Sequence, residues 1–224
     1  MKVIVTGASS GIGFELVKQL CAENYQVFAT GRNQDKLAEL KTVTGCHIGA
    51  YDLSLSNQVV EMFDQAVRDL NGLDVLINNA GMNSRKCPVD EFSIEELDLQ
   101  YAVNLRAPML LSNKALPLMK AQKSGYIVNV TSTVATRASE TMSVYTAMKQ
   151  GLAGFTGVLM KEAQPHGIKV TNLLPGGTDT SFRQAERPEY MRPESVARTI
   201  LGLLKLPEDV IVHEMVFRPQ VEVE

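Results

Sequence analysis

The chain of 224 residues is 45% hydrophobic and carries 25 acidic against 22 basic side chains, for a net charge of -3. That length suits one domain, 1–224, with a substantial core. The slight negative balance excludes electrostatic capture of the chain by nucleic acid or by an anionic membrane surface.

The first apolar run, 2–5, stops at "TGASSGIG", after which a helical pattern covers 11–23. An apolar stretch that ends so soon is not expected to be a secretory leader, and nowhere does one reach membrane-spanning length. Glycines between a strand and a helix permit positive φ, close approach of a ligand to the backbone and tight packing of the two elements. The helix start adds free N–H groups and a partial positive charge. Gly7, Ser9, Ser10, Gly11, Ile12 and Gly13 are therefore expected to hold a diphosphate. The stretch is no P-loop, because no lysine followed by Ser or Thr comes after the glycines.

The second run, 26–30, leads into "GRN". Readers of NAD place an acid at this strand end to accept from the ribose 2′-hydroxyl. No carboxylate lies between Ala29 and Asn33, whereas Arg32 offers a guanidinium that binds phosphate bidentately. NADP(H) is the expected cofactor, with NAD(H) second.

Helical patterns follow at 33–42, 55–70, 93–121, 143–164 and 193–205, and apolar runs at 46–51, 73–78, 125–131, 168–174 and 210–217. Ser93 opens a capping box with the later glutamate, and Pro193 stands near a first helical turn. Apolar runs without a clean period of two, separated by helical crossovers, predict an α/β fold. Its form is a doubly wound parallel sheet of about seven strands with helices on both faces. The long irregular stretch at 175–193 includes 177–191, read as a lid over a site.

Cys21, Cys46 and Cys87 are odd in number and form no CxxC pair, which fits a reducing, cytoplasmic setting. His47, His166 and His213 are isolated, so no metal site is expected.

Chemistry is expected after the fifth strand. Ser132 stands at its carboxyl end, where open α/β sheets hold their ligands, and Tyr145 and Lys149 lie four apart on one helix face. A free phenol titrates near pH ~10, but a neighbouring ammonium favours its ionised form. Ser132 would hold a substrate oxygen, Tyr145 would exchange its proton, and Lys149 would tune the tyrosine and bind a nicotinamide ribose. Taken singly, each has an ordinary explanation in turn chemistry or a solvated helix face.

Together, "TGASSGIG", "NNAG" at 78–81, Asn104, Ser132, "YTAMK" at 145–149 and "PGGTDT" at 175–180 resemble the short-chain dehydrogenases/reductases in order and spacing, over residues 2–217. The resemblance implies a Rossmann-like fold in which Asp52 and Leu53 lie at the adenine. It implies that Asn78 stabilises the sheet while Asn79, Ala80 and Gly81 run along the adenosine ribose. Asn104 would hold a water for a proton relay through Lys149. Pro175, Gly176, Thr178 and Thr180 would reach the carboxamide and the diphosphate. Two departures stand out: Thr178 replaces a usual aliphatic residue, and Ser10 replaces a basic residue common among NADP users, which leaves Arg32 as the main support for NADP(H).

The substrate pocket is expected from Asn83, Arg85 and Cys87, from 134–141, and from the lid. Arg85, Arg137, Arg183 and Arg187 suit a carboxylate or another anion. The expected activity is hydride transfer between NADP(H) and a small carbonyl or hydroxyl compound, and the short C-terminal section is similar to reductases acting on 3-hydroxy acids. A 3-oxoacyl-thioester reductase and a non-catalytic NADP-binding redox sensor or scaffold stand as alternatives. The resemblance also implies a homodimer or homotetramer, while Leu99, Val103, Leu110, Phe155 and Leu159 are assigned to the core.

Overall fold

Strands β1 (Lys2–Thr6), β2 (Gln26–Gly31), β3 (His47–Ala50), β4 (Val75–Asn78), β5 (Gly125–Val130), β6 (Ile168–Pro175) and β7 (Glu214–Phe217) form one sheet in the order β3-β2-β1-β4-β5-β6-β7. Every pairing is parallel. The structure, a computed structural model, describes residues 1–83, 85–180, 182 and 187–222.

The crossovers are helices α1 (Gly11–Ala22), α2 (Gln34–Thr44), α3 (Ser56–Leu70), α4 (Ile94–Tyr101), α5 (Ala107–Gln122), α6 (Ser143–Ala163) and α7 (Pro193–Leu204). Alternation along the strands sorts them onto two faces. Val3, Val5, Val27 and Ala29 pack with Leu16, Leu20, Leu37 and Ile200, on the side of α1, α2 and α7. Ile4, Phe28, Leu76 and Ile127 pack with Met62, Phe63, Leu111 and Leu159, on the side of α3, α5 and α6. Burial on both faces explains why the apolar runs show no polar alternation.

Succession reverses at β1. The chain steps outward through β2 and β3, then returns to place β4 on the other flank of β1. The connections that leave the carboxyl ends of β1 and β4 therefore run to opposite faces of the sheet and open a crevice there.

Two elements differ from expectation. The helix expected over 93–121 is divided by a π-helical turn, Ala102–Arg106, in which the Ala107 N–H donates to the Ala102 carbonyl. Pro108 lacks the N–H that an unbroken α-helix would offer the Asn104 carbonyl four residues earlier, so the regular ladder cannot run through this point. The last strand is shorter than 210–217. Lys169 Nζ donates to the carbonyls of Pro207 and Val210, and Thr171 Oγ1 donates to that of Val212, so side chains of β6 hold the chain before Glu214 where a ladder would otherwise begin. Among the described residues no helix is long and apolar enough to cross a membrane.

Candidate active site

The loop after β1 is shaped by close approach. Gly7 and Gly11 have φ of 68° and 54°, in the left-handed region that glycine adopts without strain. A Cβ on Gly7 would lie 2.8 Å from Ala80 Cα, and one on Gly13 would strike the Gly7 carbonyl and lie 2.7 Å from Asn79 Nδ2. The end of β4 is fastened to the same loop. Thr6 Oγ1 accepts from the Asn79 and Ala80 N–H groups at 3.0 and 2.9 Å, and Asn79 Nδ2 donates to the Thr6 carbonyl at 2.9 Å. Ser10, at the start of α1, makes no side-chain cap, so the amides of that first turn keep their capacity to meet an anion.

Gly31 brings β2 against the loop, since a Cβ there would lie 2.7 Å from Ser9 Oγ. The exposed Arg32 thus stands beside the glycines, on the rim of the crevice. Asp52 Oδ1 accepts from the Ser54 N–H at 2.9 Å, which fixes the turn that carries Asp52 and Leu53 to the same rim. Thr180 covers the loop from the opposite side, with Cγ2 3.1 Å from where a Gly11 Cβ would be.

Deeper in, α6 is tied to the sheet by a buried polar chain. Asn78 Nδ2 donates to Asn129 Oδ1 at 2.8 Å, Asn129 Nδ2 donates to Thr156 Oγ1 at 2.8 Å, and Thr156 donates to the Leu152 carbonyl at 2.6 Å. This fixes the depth at which Tyr145 and Lys149 emerge. Lys149 is 2% exposed, and its Nζ donates to the Val130 carbonyl at 3.0 Å. Burial pulls its pKa down from 10.5 to about 8. The ammonium lies 5.7 Å from the centre of the Tyr145 ring, which also meets Phe182 at 5.8 Å. Ser132 is extended, with its Oγ 3.4 Å from the Val134 N–H it accepts.

Asn104 is fully buried in the π turn, where Oδ1 accepts from the Met82 N–H at 2.9 Å and Nδ2 donates to the Met82 carbonyl at 2.7 Å. A Cβ on Gly81 would lie 3.1 Å from Asn104 Oδ1 and 3.3 Å from Lys149 Nζ. The bareness of Gly81 lets these two groups converge.

A crevice of about 970 Å³ joins these parts. The short chain dehydrogenase family model matches residues 1–191. An oxidoreductase of Staphylococcus aureus is 32% identical over 223 residues, covering 96% of each chain. The chain belongs to the short-chain dehydrogenase family. Among solved structures, a serine dehydrogenase from Escherichia coli superposes with a TM-score of 0.91 at 25% identity, over 100% of both chains. An alcohol dehydrogenase from Thermococcus sibiricus, complexed with 5-hydroxy-NADP, does so with 0.90 at 26%, over 99% of this chain and 97% of the other. A metagenomic short-chain oxidoreductase in complex with NADP gives 0.88 at 28%, over 99% and 98%.

Of the residues singled out in the sequence, this family member places Gly7, Ser9, Ser10, Gly11, Ile12, Arg32, Asp52, Leu53, Asn79, Ala80, Gly81, Ser132, Tyr145, Lys149, Pro175, Gly176, Thr178 and Thr180 on the crevice wall. Gly13 lies beneath the wall as packing, and Asn104 stands behind Gly81. Asn83, Arg85, Arg137 and Arg187 also reach the crevice. Cys87 does not: it is 6% exposed, and its N–H donates to the Thr141 carbonyl, which turns it into a separate narrow recess beside Phe92. Arg183 and part of the expected lid, residues 181 and 183–186, lie outside the described residues. The remaining lid residues fold back, with Thr178 bridged to Met191.

Thr6, Asn129 and Glu222 are among the contributors that escaped the sequence reading. Thr6 and Asn129 were visible as polar residues in otherwise apolar strands, a signal for buried pairing. Glu222, which enters the crevice from the C-terminal segment, gave no signal at all.

A second hollow, about 610 Å³, opens at the opposite sheet edge beside Cys21, Cys46 and His47. Burial pushes the Cys21 thiol up to about 11 and raises that of Cys46, so neither is a nucleophile near neutrality. Among the described residues no three His, Cys, Asp or Glu side chains converge as a metal set.

Proposed function

We propose that this short-chain dehydrogenase family member interconverts a small carbonyl compound and its alcohol with NADP(H). The observation that carries the reading is the buried Lys149 ammonium held beside the Tyr145 ring, in the same crevice as Ser132 and the glycine loop. The NADP complexes among the similar structures support a nicotinamide cofactor.

The cleft fits such a group. Its volume falls in the range of small-molecule sites, and Ser10, Gly11 and Ile12 bring the uncapped start of α1 to its wall, where backbone amides can meet a diphosphate. Gly7, Ser9, Ser10, Gly11 and Ile12 would hold the diphosphate, Asp52 and Leu53 the adenine, and Asn79, Ala80 and Gly81 the adenosine ribose. Pro175, Gly176, Thr178 and Thr180 would border the nicotinamide end, and Arg32 would take the 2′-phosphate. When bound, the nicotinamide supplies the hydride for reduction and accepts it in oxidation.

The chain's own residues handle the oxygen and its proton. Ser132 donates to the substrate oxygen, and Tyr145 gives that oxygen a proton in reduction and removes it in oxidation. The Lys149 ammonium favours the phenolate left behind. Asn104, whose carbonyl Pro108 leaves without an α-helical donor, would hold the water that returns the proton through Lys149. Protein free thiols at Cys21, Cys46 and Cys87 agree with the cytoplasmic setting included in this proposal. The proposal further includes a single functional unit over 1–224 that assembles as a homodimer or homotetramer through the outer faces of α5 and α6, where Met109 and Val158 are exposed; the mass in solution checks that assembly.

The test is NADPH consumption against a panel of small ketones, repeated with NADH and with Arg32→Asp. The expected result is turnover with NADPH, and a preference over NADH that falls by about ten-fold or more in Arg32→Asp, the loss of at least one charge-assisted contact. NADPH binding without reduction of any carbonyl would overturn the reading, and an unchanged preference would overturn the role of Arg32.

A further inference from the structure

The crevice carries an ionic arrangement that the proton relay does not use. Arg137 follows Ser132 on the substrate side, and its Nη2 lies 3.6 Å from Oε2 of Glu222. Glu222 belongs to the C-terminal segment, beyond the residues matched by the family model. Its other oxygen, Oε1, accepts from the Gly177 N–H at 3.1 Å. Both side chains line the same crevice as Ser132, Tyr145 and Lys149.

The carboxylate sits in a cradle of two glycines. A Cβ on Gly176 would come within 2.5 Å of Oε2, and one on Gly177 within 2.8 Å of Oε1. The pairing with the arginine is nevertheless poor. Well-formed Arg–carboxylate contacts are about 2.7–2.9 Å long and often bidentate. Here the single contact is long, and Glu222 Oε2 and Arg137 Nε are both buried without a hydrogen-bond partner among the described residues. Orphaned buried polar atoms are costly, so this is an arrangement that a better-fitting carboxylate would replace. The other described arginines of the crevice differ. Arg32 is exposed on the rim beside the glycine loop, Arg85 pairs with Glu91 at 3.1 Å and Arg187 with Glu189 at 3.7 Å, the last two arginine side chains being more than half exposed, whereas those of Arg137 and Glu222 are 37% and 13% exposed.

The geometry points to Arg137 as the residue that binds a carboxylate on the substrate, and to Glu222 as an intramolecular competitor that such a substrate displaces. A small oxo or hydroxy acid that offered both oxygens to the guanidinium would satisfy Nε and release Glu222 to solvent. The inference rests on the carbonyl–alcohol reading for the reaction itself, but the choice of a carboxylate can be tested apart from it.

Laevulinate and its methyl ester present the same ketone with and without a negative charge. With NADPH, the ratio of their kcat/KM values should rise about ten-fold or more in Glu222→Gln and fall about ten-fold or more in Arg137→Met, the scale of one charge-assisted hydrogen bond. A merely structural role would move both compounds together and leave the ratio unchanged, which would overturn the inference. Calorimetric titration of laevulinate into the protein with NADP+ present needs no turnover. Tighter binding in Glu222→Gln and weaker binding in Arg137→Met support the competitor; equal binding in all three proteins refutes it. Failure to reduce either ketone would count against the proposed function, while the calorimetry would still decide this inference.

Discussion

Lys149 shows how a residue can serve a site at the expense of the fold. Its ammonium is shut away from water, donating to the Val130 carbonyl, and its pKa falls to about 8. The drop from 10.5 corresponds to about 3 kcal/mol of cost for keeping the charge inside. Below pH 8 the lysine is charged in both folded and unfolded chains, so the whole cost is present. Between about 8 and 10.5 the folded protein gives up the proton first, and the cost fades as pH rises. Lys149→Met should therefore abolish turnover yet raise the Tm at pH 7 by roughly 2–6 °C, after allowing for the lost bond to Val130. That gap should narrow as pH approaches 10. Thermal unfolding at several pH values checks this, and a lower Tm for the variant at pH 7 would contradict it. The Tyr145–Lys149 spacing was legible in the sequence, because four residues separate neighbours on a helix face. The anchor on Val130 was not, because it depends on where the end of β5 meets α6.

At the scale of elements, the π turn at Ala102–Arg106 carries the most information. A mid-helix asparagine in an amphipathic pattern ordinarily faces water. Asn104 instead spends both ends of its amide on Met82, in the loop after β4, and the widened turn accommodates it. The sequence held half of this: Pro108 was in plain view, but its consequence for the carbonyl four residues back becomes apparent only with the strand-end loop in place. Asn104→Ala would leave the Met82 N–H and carbonyl unpaired, a loss of about 2–3 kcal/mol. A fall in Tm of roughly 5–10 °C should accompany reduced turnover, and a variant with wild-type melting would show that the amide does not hold this junction. Helix starts were easier to read. Ser93 and Glu96 form the expected capping box, and α7 begins at Pro193. Local chemistry decides such ends, whereas the start of β7 was set by contacts from β6 that no local pattern encodes.

For the whole molecule, the alternation of apolar runs and helical patterns was sufficient to predict a parallel sheet covered on both faces, since seven strands buried twice over leave that imprint. The order of the strands, and the return of the C-terminal segment to the crevice, depend on contacts between distant segments and were not legible there. Glu222 reaches Gly177 and Arg137 only because β7 pairs with β6 and aims the chain end back over the site. What unites the scales is one junction, where α6 presents Tyr145 and Lys149 to the cleft opened between β1 and β4. The most direct measurement of that claim is single-turnover reduction of a ketone by NADPH in Tyr145→Phe, together with NADPH affinity. Loss of a positioned proton donor should slow the step by about a hundred-fold or more while NADPH affinity stays within about three-fold. A Tyr145→Phe protein that reduces the ketone at the wild-type rate would contradict the account.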